Sequence, residues 1–562
     1  MSRYIDPDHR DALDDAGAQP ATPAAPDPAA AAATDTPTEA TPAGGSAPEL
    51  SDLAEPTRAT RRSVIGRVAA PGAALAVWAL LGQTSGLTPE GRAVAAVAVL
   101  MGIAWLTEAL PLPATALLPI ALFPLLGVTD IAGATAPYAN NIIYLFMGGF
   151  MLALAMQRWG LHKRIALRTV AFVGTQPSRL VAGFMLATAF LSMWVSNTAT
   201  TVMMLPIGVS VLLLVLRQTG QAGAADALED GEGGVSRAVP LRFATALMLG
   251  IAYAASIGSL ATPIGTPPNT FLIGFVSETY GVDIAFGQWM LLGLPLAAVF
   301  LVLAWLLLVK VLFPPELDEL PGGEELIDRE LAALGPMGKG ERIVLTIFVS
   351  TALAWMSRGF LANSEAVTDL VPAVTALSDA GIAIIAVLIA FVLPVDRRAG
   401  VFVLSWDAAR RIPWGILVLF GGGLSLAAAV QSSGLDTWLG TQVAALGTLP
   451  LLVILIGVVA VVIALTELTS NTATAATFLP ILGGVGIGLG YDPLLLVVPA
   501  ALAASCAFMM PVATPPNAIV FGSGHVTIEQ MVKAGVWLNL IALALIVLVV
   551  VTLGGPVLGI IF

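Results

Sequence analysis

The pentapeptide Ser196-Asn197-Thr198-Ala199-Thr200 occurs twice, returning letter for letter as Ser470-Asn471-Thr472-Ala473-Thr474, and both copies sit inside apolar runs. Each is followed by a proline, Pro206 in the first case and Pro480 in the second. Ser, Asn and Thr side chains compete with the backbone for its own hydrogen bonds, so such a string bends or breaks a helix. Inside a bilayer no water satisfies the groups set free, and non-helical backbone persists only where protein buries it or a cavity receives it. The same break made twice predicts one binding site assembled from two halves. Composition supplies the bilayer: 57% of the 562 residues are hydrophobic and 11% charged, with a mean hydropathy of +0.89, which is not the balance of a soluble domain.

The formal net charge of −12 carries little about partners, because much of the acid lies in the N-terminal tail and between Pro315 and Glu341. Nucleic acid is not an expected partner. The single cysteine, Cys506, excludes an internal disulfide and a thiolate zinc site and reads as helix packing. Residues 1–64 are mostly Ala, Pro, Thr, Asp and Glu, too poor in large apolar side chains to fold, and are expected to be a disordered tail. Arg58, Arg61, Arg62 and Arg67 directly precede the first apolar run, which argues against a signal peptide and for a cytoplasmic N-terminus.

Spans are expected near 68–85, 91–109, 112–128 and 138–157, returning the chain to the cytoplasm. The basic stretch Arg158 to Arg168 then reads as an interfacial amphipathic helix, with the lone His162 as an exposed surface residue and Trp159 and Trp194 as interfacial or packing residues. Lys163, Arg164, Arg168 and Arg179 precede the segment 178–216, and Arg217, Arg237 and Arg242 follow it. Basic residues on both sides place both ends in the cytoplasm, so this segment is expected to be a re-entrant hairpin with Ser196-Asn197-Thr198 near its tip. A span over 243–275 is interrupted by Thr262-Pro263-Ile264-Gly265-Thr266-Pro267-Pro268-Asn269, which cannot be continuous helix. The loop around Glu278 and Asp283 lacks Lys and Arg and is expected outside. Spans near 286–312, 343–362 and 372–395, with a cytoplasmic loop over 313–342, lead to Arg397, Arg398, Arg410 and Arg411.

The second half then repeats the first. Leu419-Phe420-Gly421-Gly422-Gly423 answers Leu145-Phe146-Met147-Gly148-Gly149, and Asn471 answers Asn197, each 274 positions on (145 to 419, 197 to 471). Ala513-Thr514-Pro515-Pro516-Asn517 answers Gly265-Thr266-Pro267-Pro268-Asn269 at a shorter offset, as expected if the loop near 218–241 has no counterpart. Between Arg411 and Lys533 there is no Lys or Arg, so the second hairpin, 449–488, is expected to enter from the outer face and the copies to form an inverted repeat. A broken span over 494–522 and a last span over 534–560 leave the C-terminus outside. The expected fold is an all-α polytopic membrane protein of about eleven transmembrane helices with two re-entrant hairpins.

Unwound backbone offers carbonyl oxygens that suit a hard cation such as sodium, and the half-helices after each break are expected to offer free N–H groups and a positive dipole end to an anionic oxygen. Neither tip and neither broken helix contains Arg or Lys, so a bound carboxylate would be neutralised by co-bound cations, which is a physical basis for coupling. Two acidic residues stand within or beside apolar sequence. Glu467, four residues before Asn471, tunes the second site or hydrogen-bonds backbone, and Glu108 sits at an interface; either is also a candidate to carry a proton.

These paired strings, each with its downstream Thr-Pro-Pro-Asn, resemble the divalent anion:sodium symporter family, the INDY-type transporters of di- and tricarboxylates, over nearly the whole chain from about residue 66. The resemblance implies a homodimer in the plasma membrane, with an elevator mechanism in which a transport domain moves against a fixed scaffold. Residues 65–157 and 286–412 would be scaffold, and 158–285 and 413–562 the two repeats of the transport domain. It implies a first sodium site at Ser192, Ser196, Asn197 and Gly265 and a second at Thr466, Thr469, Asn471 and Ala513, with substrate carboxylates meeting Asn197, Thr198, Asn471 and Thr472 and the pocket completed by Thr266, Thr514 and Pro515. The function implied is sodium-coupled symport of C4-dicarboxylates such as succinate, malate or fumarate; exchange of dicarboxylates, or transport of citrate or sulfate, remains open on the same fold. An intramembrane enzyme is not expected, since there is no His-Glu-x-x-His pattern and His525 stands alone. A channel fits an inverted pair of broken helices less well than alternating access does.

Overall fold

Thr60 opens the ordered helices by accepting a hydrogen bond from the Ser63 amide, which starts the first helix at Arg61, inside the stretch expected to be tail. The computed structural model describes residues 60–562 except 84–85, 175, 219–241, 317–321, 363, 371–375 and 444–448; the expected tail up to residue 59 and the loop near 218–241 fall outside the described residues. Among the described residues, eight helices are long and apolar enough to cross a membrane: Arg61–Leu81, Pro89–Thr107, Ile131–Arg158, Asn197–Arg217, Phe286–Leu312, Lys339–Ala362, Trp414–Ser432 and Ile528–Leu558.

The third expected span is not one helix. Residues 112–128 form two short pieces, Leu112–Thr115 and Leu118–Leu125, with a break at Ala116 and Leu117. Pro113 and Pro119 sit at the start of the two pieces, and the Tyr138 hydroxyl donates to the Ala116 carbonyl exposed by the break. Among the described residues the one departure from all-α is Pro394–Asp396, which pairs antiparallel with Val401–Phe402 around the Arg397-Arg398 turn.

The basic stretch after Arg158 becomes helix Leu161–Val173, with Lys163 and Arg168 exposed as expected and His162 and Arg164 covered. Helix Gly323–Ala333, from the loop expected over 313–342, packs on it. His162 is 9% exposed, not a surface residue, with Nδ1 3.2 Å from the Met156 carbonyl oxygen. Burial moves its pKa down from the ordinary 6.5. Arg164 is buried beside it and donates to both Glu341 carboxylate oxygens at 2.9 and 3.0 Å and to the Gly335 and Leu334 carbonyls. A buried guanidinium with a bidentate partner and two further acceptors satisfies the condition under which burying an ion pair is tolerated. Both tryptophans pack: Trp194 stacks on Phe286 and meets Phe348 edge-on, and Trp159 lies over Gly340 and donates to Val403 O.

The two copies of the repeat adopt the same local pattern. In the first, Pro177–Ser192 and Asn197–Gln218 flank the tip, followed by half-helices Arg242–Ser259 and Pro267–Tyr280; in the second, Leu451–Thr466 and Asn471–Gly488 precede Leu494–Ala504 and Pro515–Gly522. They pack crosswise. Helix Asn197–Gln218 lies against Pro515–Gly522, and Asn471–Gly488 lies against Pro267–Tyr280, so each tip faces the broken helix of the other copy as well as its own. Between the two breaks, Thr266 Oγ1 and Ser505 Oγ meet at 3.3 Å.

Candidate functional site

Each tip is closed by the same three oxygens. In the first copy the Ser192 hydroxyl lies 2.5 Å from Asn197 Oδ1 and 2.6 Å from the Ala255 carbonyl oxygen. In the second the Thr466 hydroxyl lies 2.7 Å from Asn471 Oδ1 and 2.7 Å from the Ala504 carbonyl oxygen. A hydroxyl, an amide oxygen and a main-chain carbonyl around one point, with no charged group among them, is a donor set for a hard cation of low charge. Ala504 is the last residue of its half-helix, where carbonyls lose their helical partners, and Ala255 lies about one turn before the end of its own. Asn197 Nδ2 also donates to Ser259 Oγ at 3.2 Å, and a Cβ on Gly265 would fall 2.3 Å from Ser259 O, so Gly265 lies directly against the end of the same half-helix.

The breaks are shorter and better satisfied than the proline count suggested. The first spans residues 260–266 and the second 505–514, and the Pro-Pro pair in each opens the following helix instead of prolonging the gap, because proline at the first helical positions gives up no needed hydrogen bond. That placement removes donors: the two prolines at each half-helix start have no N–H to offer an anion. Of the next amides, Asn269 N and Thr270 N turn back to Thr266 O, and Asn517 N is capped by Thr514 Oγ1. The expected set of free N–H groups is therefore absent at these two helix starts. The fourth residue of each motif is a staple across its break. Asn269 Nδ2 reaches the carbonyls of Ser259, Leu260 and Thr262 at 3.3, 3.3 and 3.0 Å, and Asn517 Nδ2 reaches those of Ala507 and Met510 at 3.3 and 3.1 Å.

Glu467 is buried, with every partner a donor: Phe508 N at 2.7 Å, Met509 N at 2.9 Å, Met510 N at 3.1 Å and Asn539 Nδ2 at 2.7 Å. Backbone binding, one of its two expected roles, is what these contacts make. Glu108 is exposed at the end of its helix, in left-handed conformation with φ 52°.

A family model described as the sodium:sulfate symporter transmembrane region matches residues 63–561. The chain belongs to this symporter family. Relatives named sodium-dependent dicarboxylate transporter SdcS are 41% identical over 482 residues in Staphylococcus saprophyticus, covering 86% of this chain and 89% of that protein, and 43% identical over 476 residues in Staphylococcus aureus, covering 84% and 87%. The fold is shared with two solved transporters. The Alcanivorax borkumensis YdaH transporter is 17% identical at a TM-score of 0.52, covering 77% of this chain and 88% of that one. Neisseria gonorrhoeae MtrF is 12% identical at 0.51, covering 89% and 97%.

In this symporter-family chain the implied site residues divide into three groups. Ser192 with Asn197 and Thr466 with Asn471 are in contact, as described. Ser196 and Thr198 line a cavity of about 740 Å³ whose other walls include Lys163, His162 and Glu330; Ser196 Oγ also accepts from Ala199 N at 3.3 Å. Thr266, Thr472, Thr514 and Ala513 are buried, Pro515 is exposed, and Thr469 turns its hydroxyl to Leu465 O and to Thr474 Oγ1 at 2.6 Å. Four participants escaped sequence reasoning: the carbonyls of Ala255 and Ala504, the hydroxyl of Ser259, and Asn539. A main-chain oxygen has no letter of its own, and Asn539 lies 72 positions beyond the carboxylate it serves.

Proposed function

We propose that the protein moves C4-dicarboxylates such as succinate, malate and fumarate across the plasma membrane together with sodium. The observation that carries this reading is the doubled set of hydroxyl, asparagine oxygen and half-helix carbonyl. It supplies two clusters of neutral oxygen donors, beside two breaks that touch through Thr266 and Ser505. Sodium ions are then co-substrates: Ser192, Asn197, Ser196 and Gly265 would hold the first, and Thr466, Asn471, Thr469 and Ala513 the second. Neither tip itself carries Arg or Lys, although Lys163 lines the cavity at Ser196 and Thr198, so carboxylate affinity would rise as the cations load. The amides of Asn197 and Asn471 and the hydroxyls of Thr198, Thr472, Thr266 and Thr514 would receive the two carboxylates once the buried ones open.

The dicarboxylate reading is favoured over sulfate by the relatives above 40% identity that bear that name. The family description keeps sulfate as the second reading. Movement of the paired repeats against a scaffold, in a homodimer with the N-terminus cytoplasmic, is the mechanism we infer. In support, the first arm of each hairpin is 16 residues long, about 24 Å, short of the roughly 30 Å hydrocarbon core. The test is uptake of labelled succinate into proteoliposomes holding no internal dicarboxylate. The expected result is uptake that requires an inward sodium gradient and is competed by malate and fumarate but not by sulfate. Uptake seen only after loading the vesicles with dicarboxylate makes the protein an exchanger and overturns symport.

A further inference from the structure

The second break is held by a buried carboxylate that the first break lacks. Glu467 follows Thr466 in the tip, so adjacent side chains grip two points of one broken helix: Thr466 takes the Ala504 carbonyl, and Glu467 takes the amides of Phe508, Met509 and Met510. From the other side Asn517 holds the Ala507 and Met510 carbonyls. The remaining contact comes from the last helix, Ile528–Leu558, whose Asn539 donates to Glu467 Oε1. One turn earlier on that helix, Gly535 lies against the same segment. A Cβ there would fall 2.4 Å from Phe508 O and 2.5 Å from Met509 N, so the missing side chain is what lets the helix backbone reach the break. The first copy is braced without a carboxylate: from helix Phe286–Leu306 Trp289 Nε1 donates to Leu260 O and Gly293 lies against the Leu260 and Ala261 carbonyls, while Met193, 274 positions before Glu467 (193 to 467), offers the Thr262 hydroxyl only its carbonyl.

We propose that Glu467 and Asn539 are positioning residues for the second cation site, and that the last helix is the back wall of that site. The carboxylate is an acceptor-only group placed among four N–H donors. It fixes the unwound segment 508–510 relative to the tip, and so fixes the Ala504 and Ala513 carbonyls that the ion would meet. Asn539 holds the carboxylate in that orientation. The proposal rests on the reading of this region as a cation site, and its test has an arm that does not.

Cys506, the only cysteine of the chain, is fully buried at the start of this break, so its reaction rate with a maleimide reports how often the segment opens. In the full-length protein, Glu467→Gln and Asn539→Leu are each expected to speed labelling of Cys506 by about tenfold or more, the scale of one charge-assisted hydrogen bond. Each is also expected to raise the sodium concentration for half-maximal succinate uptake by a similar factor, with a smaller fall in maximal rate. Should Asn539→Leu yield no monodisperse protein, Glu467→Gln, which keeps the shape, carries the test. Wild-type rates of labelling in both variants overturn the proposal. Faster labelling with unchanged sodium half-saturation leaves only a structural brace and overturns the assignment to the ion site. If the wild-type protein itself takes up succinate without sodium, the functional reading fails, and the labelling arm still decides whether Glu467 and Asn539 hold the segment.

Discussion

In the first copy of the repeat the hydroxyl that meets the tip asparagine belongs to Ser192 and the next residue is Met193; in the second it belongs to Thr466 and the next residue is Glu467. The oxygens around the two tips are the same, while the surroundings differ at each step. Behind the second tip a carboxylate ties down three backbone amides; behind the first there is none, and the break is held by Trp289 Nε1 on the Leu260 carbonyl and by the Thr262 hydroxyl on the Met193 carbonyl. Thr474 shares a hydrogen bond with Thr469, whereas its counterpart Thr200 is buried without a partner, Val195 standing where Thr469 would be (195 to 469). The first break is short enough to require Gly265; the longer second break has room for Ala513. Duplication thus conserved what an ion would touch and let the support diverge.

The largest test of that comparison is to remove what the copies share. Asn197→Ala and Asn471→Ala are each expected to lower sodium-driven uptake by about a hundredfold, since each deletes the amide oxygen that meets the tip hydroxyl and would meet the ion. Near-normal uptake in both would end the claim that the tips are equivalent sites. The difference in support is tested by exchanging the small residues. Gly265→Ala pushes a Cβ against the Ser259 carbonyl and is expected to cost about 1–3 kcal/mol of local overpacking, seen as a roughly tenfold or larger rise in half-saturating sodium. Ala513→Gly meets no such obstacle and is expected to change it by less than about fivefold. Equal effects would show that the two breaks are equally tight.

The smallest effect expected is on pH. His162 flanks the first copy and His525 the second, and burial lowers both pKa values from the ordinary 6.5. The folded protein then binds fewer protons than the unfolded chain, so both contribute stability that is present above pH 6.5 and is lost as pH falls through the folded values. A melting temperature that declines on acidification below about 6.5, and declines less in His162→Gln and His525→Gln, is the expected record; a flat profile in the wild type removes this contribution.

Much of this comparison was legible in the residues. The repeated pentapeptide, its constant offset and the paired Thr-Pro-Pro-Asn located both tips and both breaks, because the chemistry that disrupts a helix is written in side chains. The proline motif misled about donors, since its residues were counted as break when Pro267 and Pro515 begin helices and have no N–H to give. His162 looked exposed because the helix Gly323–Ala333 that covers it lies far along the chain. The third expected span looked continuous because hydropathy does not register the break at Ala116. Apolar content predicts where chain is buried, and says nothing of which distant segment buries it.

Met193 and Glu467 occupy equivalent places in two copies of one polypeptide. Had the repeat stayed a half-length chain pairing with itself, the two-fold axis would have put the same side chain in both places: two carboxylates facing one substrate pocket, or none. Joining the copies end to end removed that constraint. One acidic side chain could then be accepted on one side alone, leaving two nearly matched tips that need not open, or close, in the same order.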